Sequence, residues 1–180
     1  DAIKDNILCK MNYITQNYYL SDEERSEIKK MIASHHAKKK SGEKVKDTDL
    51  FTRIAGVRKN AESKISIFAD YIKKNPEIIK NTIIFVYSKP RGRQISEILQ
   101  GKVKYREYFD NDVSEHLDYF AKGDLDCLIT CHRLSQGIDI KGLKNVILIA
   151  SDRSRLESIQ RIGRCLRKNP QDPNKIAVVL

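Results

Sequence analysis

Thr82-Ile83-Ile84-Phe85-Val86-Tyr87 carries no charge, is rich in β-branched and aromatic residues, and breaks off at Ser88-Lys89-Pro90. A run of this length and composition has the character of a strand buried on both faces. Three further runs share it: Val103 to Phe109, Asp126 to Thr130, and Asn145 to Ala150; a last strand begins at Lys175. Between them the pattern turns helical. Arg91 to Leu99 is one such stretch. Val113, Leu117 and Phe120 mark another, with Asp112 placed to cap it and Glu115 at the box position. Strand and helix in alternation predict an open parallel α/β sheet with helices on both faces. Ligands of such sheets bind beyond the carboxyl ends of the strands. Ser88 and Lys89, Cys131 to Asp139, and Ser151 to Arg155 follow three of the strands, so they should crowd one rim.

Upstream, Ile65, Phe68 and Ile72 recur at helical spacing until Asn75-Pro76 stops the helix. Ser21-Asp22-Glu23-Glu24 reads as a capping box opening a helix through about Ala37, with Ile28, Met31 and Ile32 on its inner side. Lys38 to Asp49 has charges but no apolar period and predicts a mobile loop. Asn12 to Tyr19 reads as extended and aromatic. The expected division is an arm over 1–60 (extended segment, helix and basic loop) and the main α/β domain over 61–180.

A chain of 180 residues is long enough to bury a real core in one domain with an appended arm. Its 34 Lys and Arg against 24 Asp and Glu give a net charge of +10, which fits a polyanionic partner or, more blandly, a solvated basic surface. Arg53, Arg58 and Lys64 divide between the same two readings. Cys9, Cys127, Cys131 and Cys165 lack disulfide-framework spacing, which implies reduced thiols and a cytoplasmic setting. Cys127, Cys131 and His132 have the residue types of a zinc site, but Cys127 and Cys131 fall on one strand face with Ile129, as core residues do, so no metal site is expected. No apolar run approaches a membrane span, and no signal-peptide core follows Asp1. The missing initiator Met and an end at Val178-Val179-Leu180 in mid-strand suggest a fragment of a longer chain.

The last helical stretch is the sharpest feature. Ser154 and Glu157 form a capping box, and Asn169-Pro170 ends it. At 100° per residue Ile159, Ile162 and Leu166 share one sector, while Gln160, Arg164 and Arg167 stack on the opposite side. Two guanidiniums on one ridge can grip a phosphoryl group, since each offers a planar fork of donors that stays charged. By itself the same ridge could be a solvated helix face.

Gln160-Arg161-Ile162-Gly163-Arg164-Cys165-Leu166-Arg167 resembles motif VI of superfamily 2 helicases, Gln-Arg-x-Gly-Arg-x-x-Arg, at every fixed position. Leu134-Ser135-Gln136-Gly137-Ile138-Asp139-Ile140 resembles motif V, Thr82 to Ser88 motif IV, and Phe120 to Asp126 the Phe-x-x-Gly segment before the motif V strand. The resemblance covers roughly residues 65–180, in the family's order. It implies a second RecA-like lobe, most similar to the double-stranded DNA branch that holds restriction-enzyme motors and repair translocases. Gln136 and Lys141 depart from that branch, which usually has Glu and Pro there, and His116 stands where Arg is common.

The resemblance implies roles. Arg164 and Arg167 match arginine fingers that stabilise charge on the γ-phosphate of ATP. Gln160, Gly137 and Asp139 match residues around the nucleotide, although Asp139 also suits a plain turn. Ser88, Lys89 and Thr130 match contacts to the nucleic-acid backbone, with an ordinary strand-end turn the alternative for the first two. The chain has no Gly-x-x-x-x-Gly-Lys-Ser/Thr loop and no Asp-Glu-x-x motif, so ATP and Mg2+ would be held mainly by an N-terminal RecA-like lobe of the same parent, and this piece alone should be inactive. The expected partner is nucleic acid, double-stranded DNA first. An RNA helicase lobe and a non-enzymatic RecA-like scaffold are the alternatives.

Overall fold

The computed structural model describes residues 9–109, 115–131, 143–150, 163 and 176–179. Among these, six strands make one sheet: β1 (Lys10–Tyr13), β2 (Thr82–Phe85), β3 (Tyr105–Tyr108), β4 (Cys127–Thr130), β5 (Asn145–Leu148) and β6 (Ile176–Val179). Their spatial order is β1-β6-β5-β2-β4-β3, and every pairing is parallel. Five helices accompany them: α1 (Asp22–Lys40), α2 (Asp47–Lys59), α3 (Ser63–Lys74), α4 (Lys89–Leu99) and α5 (Glu115–Lys122), with a 3-10 turn over Pro76–Ile79.

Register explains why the central strands are apolar on both faces at their middle positions. Ile83 pairs with Leu128 on one side and Val146 on the other, and Ile84 with Ile129 and Ile147. Successive side chains face opposite ways, so both rows must be greasy to be covered. The Ile83 row packs with Phe85, Leu117, Phe120 and Leu125 under α5. The Ile84 row packs with Phe68, Ile72, Ile95 and Leu99 from α3 and α4. At the edge, β3 changes character: Arg106 is exposed and Tyr105 and Glu107 are half-buried. Charge there discourages pairing with another chain.

The amino end of the sheet is closed by a polar knot. Asn81 takes φ 54°, a left-handed conformation that Asn tolerates, and turns the chain into β2. Asn145 Nδ2 then donates to the carbonyls of Ile78 and Lys80 and to Thr82 Oγ1, while the Thr82 hydroxyl donates to the Ile78 carbonyl. Opposite, at the carboxyl end, the chain leaves β2 for α4, and β4 and β5 flank β2 on its two sides. The segments after these three strands therefore start side by side.

The arm is more ordered than its composition suggests. Ser21 and Glu24 form the expected capping box, but α1 runs past Ala37 to Lys40, and α2 begins at Asp47. A mobile loop over Lys38 to Asp49 is therefore corrected to a short turn between two helices. Lys38, Lys39 and Lys40 sit in the last turn of α1, where cations suit the helix dipole, and Asp47 and Asp49 sit in the first turn of α2. Asp47 fastens the hairpin, lying 2.7 Å from Lys39 Nζ and 2.7 Å from Nε2 of the buried His35. Hydrogen bonds from Lys39 first, then His35, hold its carboxyl below the usual range. β1 adds a strand to the sheet by pairing with β6.

Candidate functional site

The rim is built first by β2. Its carboxyl end delivers Tyr87 and Ser88 to the start of α4, where Ser88 is the N-cap and Pro90 fills the first turn. The Ser88 hydroxyl makes no cap hydrogen bond; it donates instead to Asn60 Oδ1 at 3.3 Å. Lys89 is exposed. These two residues lie where the rim was expected. Thr130, at the end of β4, does not behave as expected of a phosphate contact. It is 0% exposed and its Oγ1 is without a hydrogen-bond partner. A hydroxyl sealed from solvent cannot hold an external phosphate, so direct contact through Thr130 is at odds with this arrangement. Gly137, Asp139, Gln160, Arg164 and Arg167 lie outside the described residues, as do Asp112 and His132.

Around Ser88 the arm and the sheet converge on cations that the sequence reading did not bring together. Arg91, on the first turn of α4, donates to Gln94 Oε1 at 2.7 Å and to the Asn60 carbonyl, which fixes the guanidinium beside the end of α2. Lys59 Nζ stands 5.2 Å from the centre of the Tyr87 ring, and Lys64 Nζ 4.3 Å from that of Tyr18. Both are within cation–π range. The Lys64 ammonium is pushed down to about 8, chiefly by burial and then by Arg91 and Lys59, with Glu24 opposing. Of the basic-track candidates, Lys64 is therefore part of a built cluster. Arg53 and Arg58 are exposed on α2. Lys59 and Arg91 were missed because α2 itself was missed and Arg91 served only to start a helix.

The arm is pinned to this corner by hydrogen bonds between backbone groups and side chains. Tyr19 N–H donates to Ser63 Oγ at 3.1 Å, and the Ser63 hydroxyl donates back to the Tyr19 carbonyl. Glu24 accepts from Ser21 N–H at one oxygen and from Glu62 N–H at the other, each at 2.9 Å.

The thiol of Cys127 is buried in the sheet, and burial pushes its pKa up, with Asp126 adding to the effect. Among the described residues no three His, Cys, Asp or Glu side chains gather as metal ligands. No helix among them is long and apolar enough to cross a membrane.

Compared with known protein families, residues 54–169 match the model of the helicase conserved C-terminal domain, well over half of the chain. The chain belongs to that family. Its parallel sheet wrapped by helices is the RecA-like lobe of helicases. No curated protein matches it. Among solved structures it is similar to S. cerevisiae Dbp5 bound to RNA and ADP BeF3, at 19% identity and a TM-score of 0.50, over 65% of this chain and 32% of that one. The Pyrococcus furiosus Hef helicase domain gives 19% identity and a TM-score of 0.47, over 87% of this chain and 35% of that one. The helicase lobe thus spans about a third of the length of these two chains.

Proposed function

We propose that this helicase C-terminal lobe is the second motor lobe of an ATP-dependent DNA helicase or translocase, of the branch that holds restriction motors and repair translocases. One observation carries the reading. β2, β4 and β5 lie side by side and parallel, so their carboxyl ends open on one edge of the sheet, in a chain whose family match runs through Gln160 to Arg167. In this reading Arg164 and Arg167 face the γ-phosphate of ATP, with Gln160, Gly137 and Asp139 around the nucleotide. The guanidiniums of Arg164 and Arg167 and the Gln160 amide favour phosphate oxygens, while the single carboxylate of Asp139 suits a ribose hydroxyl. The metal and the remaining phosphates fall to an N-terminal lobe of the same parent. ATP hydrolysed between the lobes supplies the energy of movement; this lobe's share is to neutralise developing charge and to hold nucleic acid.

Ser88 and Lys89 contact the nucleic-acid backbone. The arm over 1–60 and the lobe over 61–180 act together, in the cytoplasm. RNA is the alternative substrate; the Dbp5 structure is bound to RNA, and its likeness at 19% identity speaks to the fold. The deciding experiment is ATPase of the full-length protein with duplex DNA, single-stranded RNA or neither. Arg164→Ala and Arg167→Ala should each lower the stimulated rate by about 10³-fold, the scale of arginine fingers. A stimulated rate that survives either change removes that residue from the role, and survival of both ends the motor reading.

A further inference from the structure

We propose that Asn60 is a positioning residue for the β2 rim: it draws the Ser88 hydroxyl off the cap of α4, so that the docking of the α1–α2 hairpin sets where that hydroxyl stands. This role rests on the motor-lobe reading, in which Ser88 contacts the nucleic-acid backbone. Ser88 has the backbone of an N-cap, at φ −145° and ψ 156°. Pro90 has no N–H, so the Arg91 N–H is the natural partner of a capping oxygen. Yet the Ser88 hydroxyl makes no cap bond and donates to Asn60 Oδ1, 28 residues back along the chain. At 3.3 Å this bond is long, since O–H···O pairs favour about 2.7–2.8 Å. A weak tertiary bond thus competes with a local cap, and the two states of the hydroxyl lie close in free energy.

Asn60 is fixed from both sides for this role. It is the C-cap of α2, its N–H donates to the carbonyls of Gly56 and Val57, and its own carbonyl accepts from the Arg91 guanidinium. Arg91 is steadied in turn by Gln94 Oε1 at 2.7 Å. The end of α2 therefore grips the start of α4 at Ser88 and Arg91, one turn apart. The hairpin, by contrast, is built to move as a body. Asp47 latches α1 to α2 through Lys39 and His35, whereas Leu50 is the one buried residue of α2. Its last turn is what meets the end of β2, with Gly56 near the Tyr87 hydroxyl, Lys59 over the Tyr87 ring and Asn60 on Ser88. A lift of that turn takes Asn60 from Ser88, and the hydroxyl oxygen then accepts from the Arg91 N–H. Movement of the arm becomes a change of hydrogen-bond partner at the rim.

The test is hydrogen–deuterium exchange of the full-length protein, read residue by residue at the start of α4. Asn60→Ala should free Ser88 to cap the helix and slow exchange of the Arg91 amide about fivefold, the weight of an N-cap. A lesion that merely loosens the fold speeds exchange instead. Asn60→Gly, tolerated at a helix end, should match Asn60→Ala. Asn60→Asp, which keeps an acceptor oxygen, should restore the wild-type rate. In a Ser88→Ala background none of the three should change it. The second readout is stimulation of the ATPase by duplex DNA. With Ser88 turned to its own helix, Asn60→Ala should raise the half-stimulating concentration about fivefold at an unchanged maximal rate, and Asn60→Asp should bring it back. Equal or faster Arg91 exchange in Asn60→Ala, a slowing that persists in Ser88→Ala, or an unmoved half-stimulating concentration overturns the proposal. An ATPase indifferent to both Arg164→Ala and Arg167→Ala ends the motor reading instead, while a slowed, Ser88-dependent exchange still establishes the hold of Asn60 on the hydroxyl.

Discussion

Asn145→Leu is expected to destabilise the lobe by about 3 kcal/mol, a figure that follows from the polar knot at the amino end of the sheet. The Asn145 amide lies 3.0 Å from the carbonyls of Ile78 and Lys80 and 3.3 Å from Thr82 Oγ1. Asn145 is 8% exposed and Thr82 0%, so water does not reach the Thr82 hydroxyl, whereas Ile78 is half-buried and Lys80 exposed. Two amide protons are lost, each worth about 1 kcal/mol net. The Thr82 hydroxyl still donates to Ile78, but its own buried oxygen loses the Asn145 donor, at about 1 kcal/mol. Leu keeps roughly the shape of Asn, so no large cavity term enters. For a domain of this size about 3 kcal/mol lowers Tm by roughly 6–12 °C, readable by calorimetry. Thr82→Val removes the other donor to the same acceptors, so the double variant should depart from additivity by at least about 0.5 kcal/mol. A loss below about 0.5 kcal/mol for Asn145→Leu, or strict additivity with Thr82→Val, would refute the reasoning.

Two other expectations concern the lobe's stability. A Cβ at Gly92 would stand 2.4 Å from Cζ of the buried Phe109; because Cζ lies on the ring's own flip axis, rotation of the ring gives no relief, and Gly92→Ala should cost about 1–3 kcal/mol despite its better helix propensity. A stabilised Gly92→Ala in urea unfolding would show that the Phe109 side chain moves aside freely. Lys64 has its native pKa at about 8, below the ordinary lysine value, so the folded state carries the full cost of the charge below pH 8 and sheds it as pH rises toward about 10.5. Lys64→Met should therefore stabilise the protein at pH 7 by on the order of 1 kcal/mol, allowing for solvent screening, and this advantage should fade by pH 10. An advantage that is flat across that range would place the ammonium in water.

The sheet was legible because burial on both faces leaves a plain mark. Ile83 and Ile84 each have cross-strand partners and a covering helix, so β2 and β4 admit no polar residue facing out. Strand ends drifted by a residue or two where the runs continue past the ladder, as at Val86 and Ala150. α2 was illegible: Leu50 is its one buried residue, and Lys46 offers no side-chain cap. Order there comes from His35, Lys39 and Asp47, a tertiary latch that no local period announces. The site divides in the same way. Ser88 and Lys89 follow from strand ends alone, since any parallel sheet gathers them. Lys59, Lys64 and Arg91 meet only because α2 folds back over the end of β2, where Gly56 comes close to the Tyr87 hydroxyl.

Glu24 leaves one mechanical consequence. Its two carboxylate oxygens serve two helix starts, Ser21 N–H before α1 and Glu62 N–H before α3, the second 38 residues along the chain from Glu24 itself. A single side chain thus acts as a shared fulcrum: α1 can swivel about it, yet cannot slide along the lobe without surrendering one of the two bonds. Whatever force a neighbouring lobe exerts on the arm would therefore arrive at the start of α3 as a torque, two residues before Lys64.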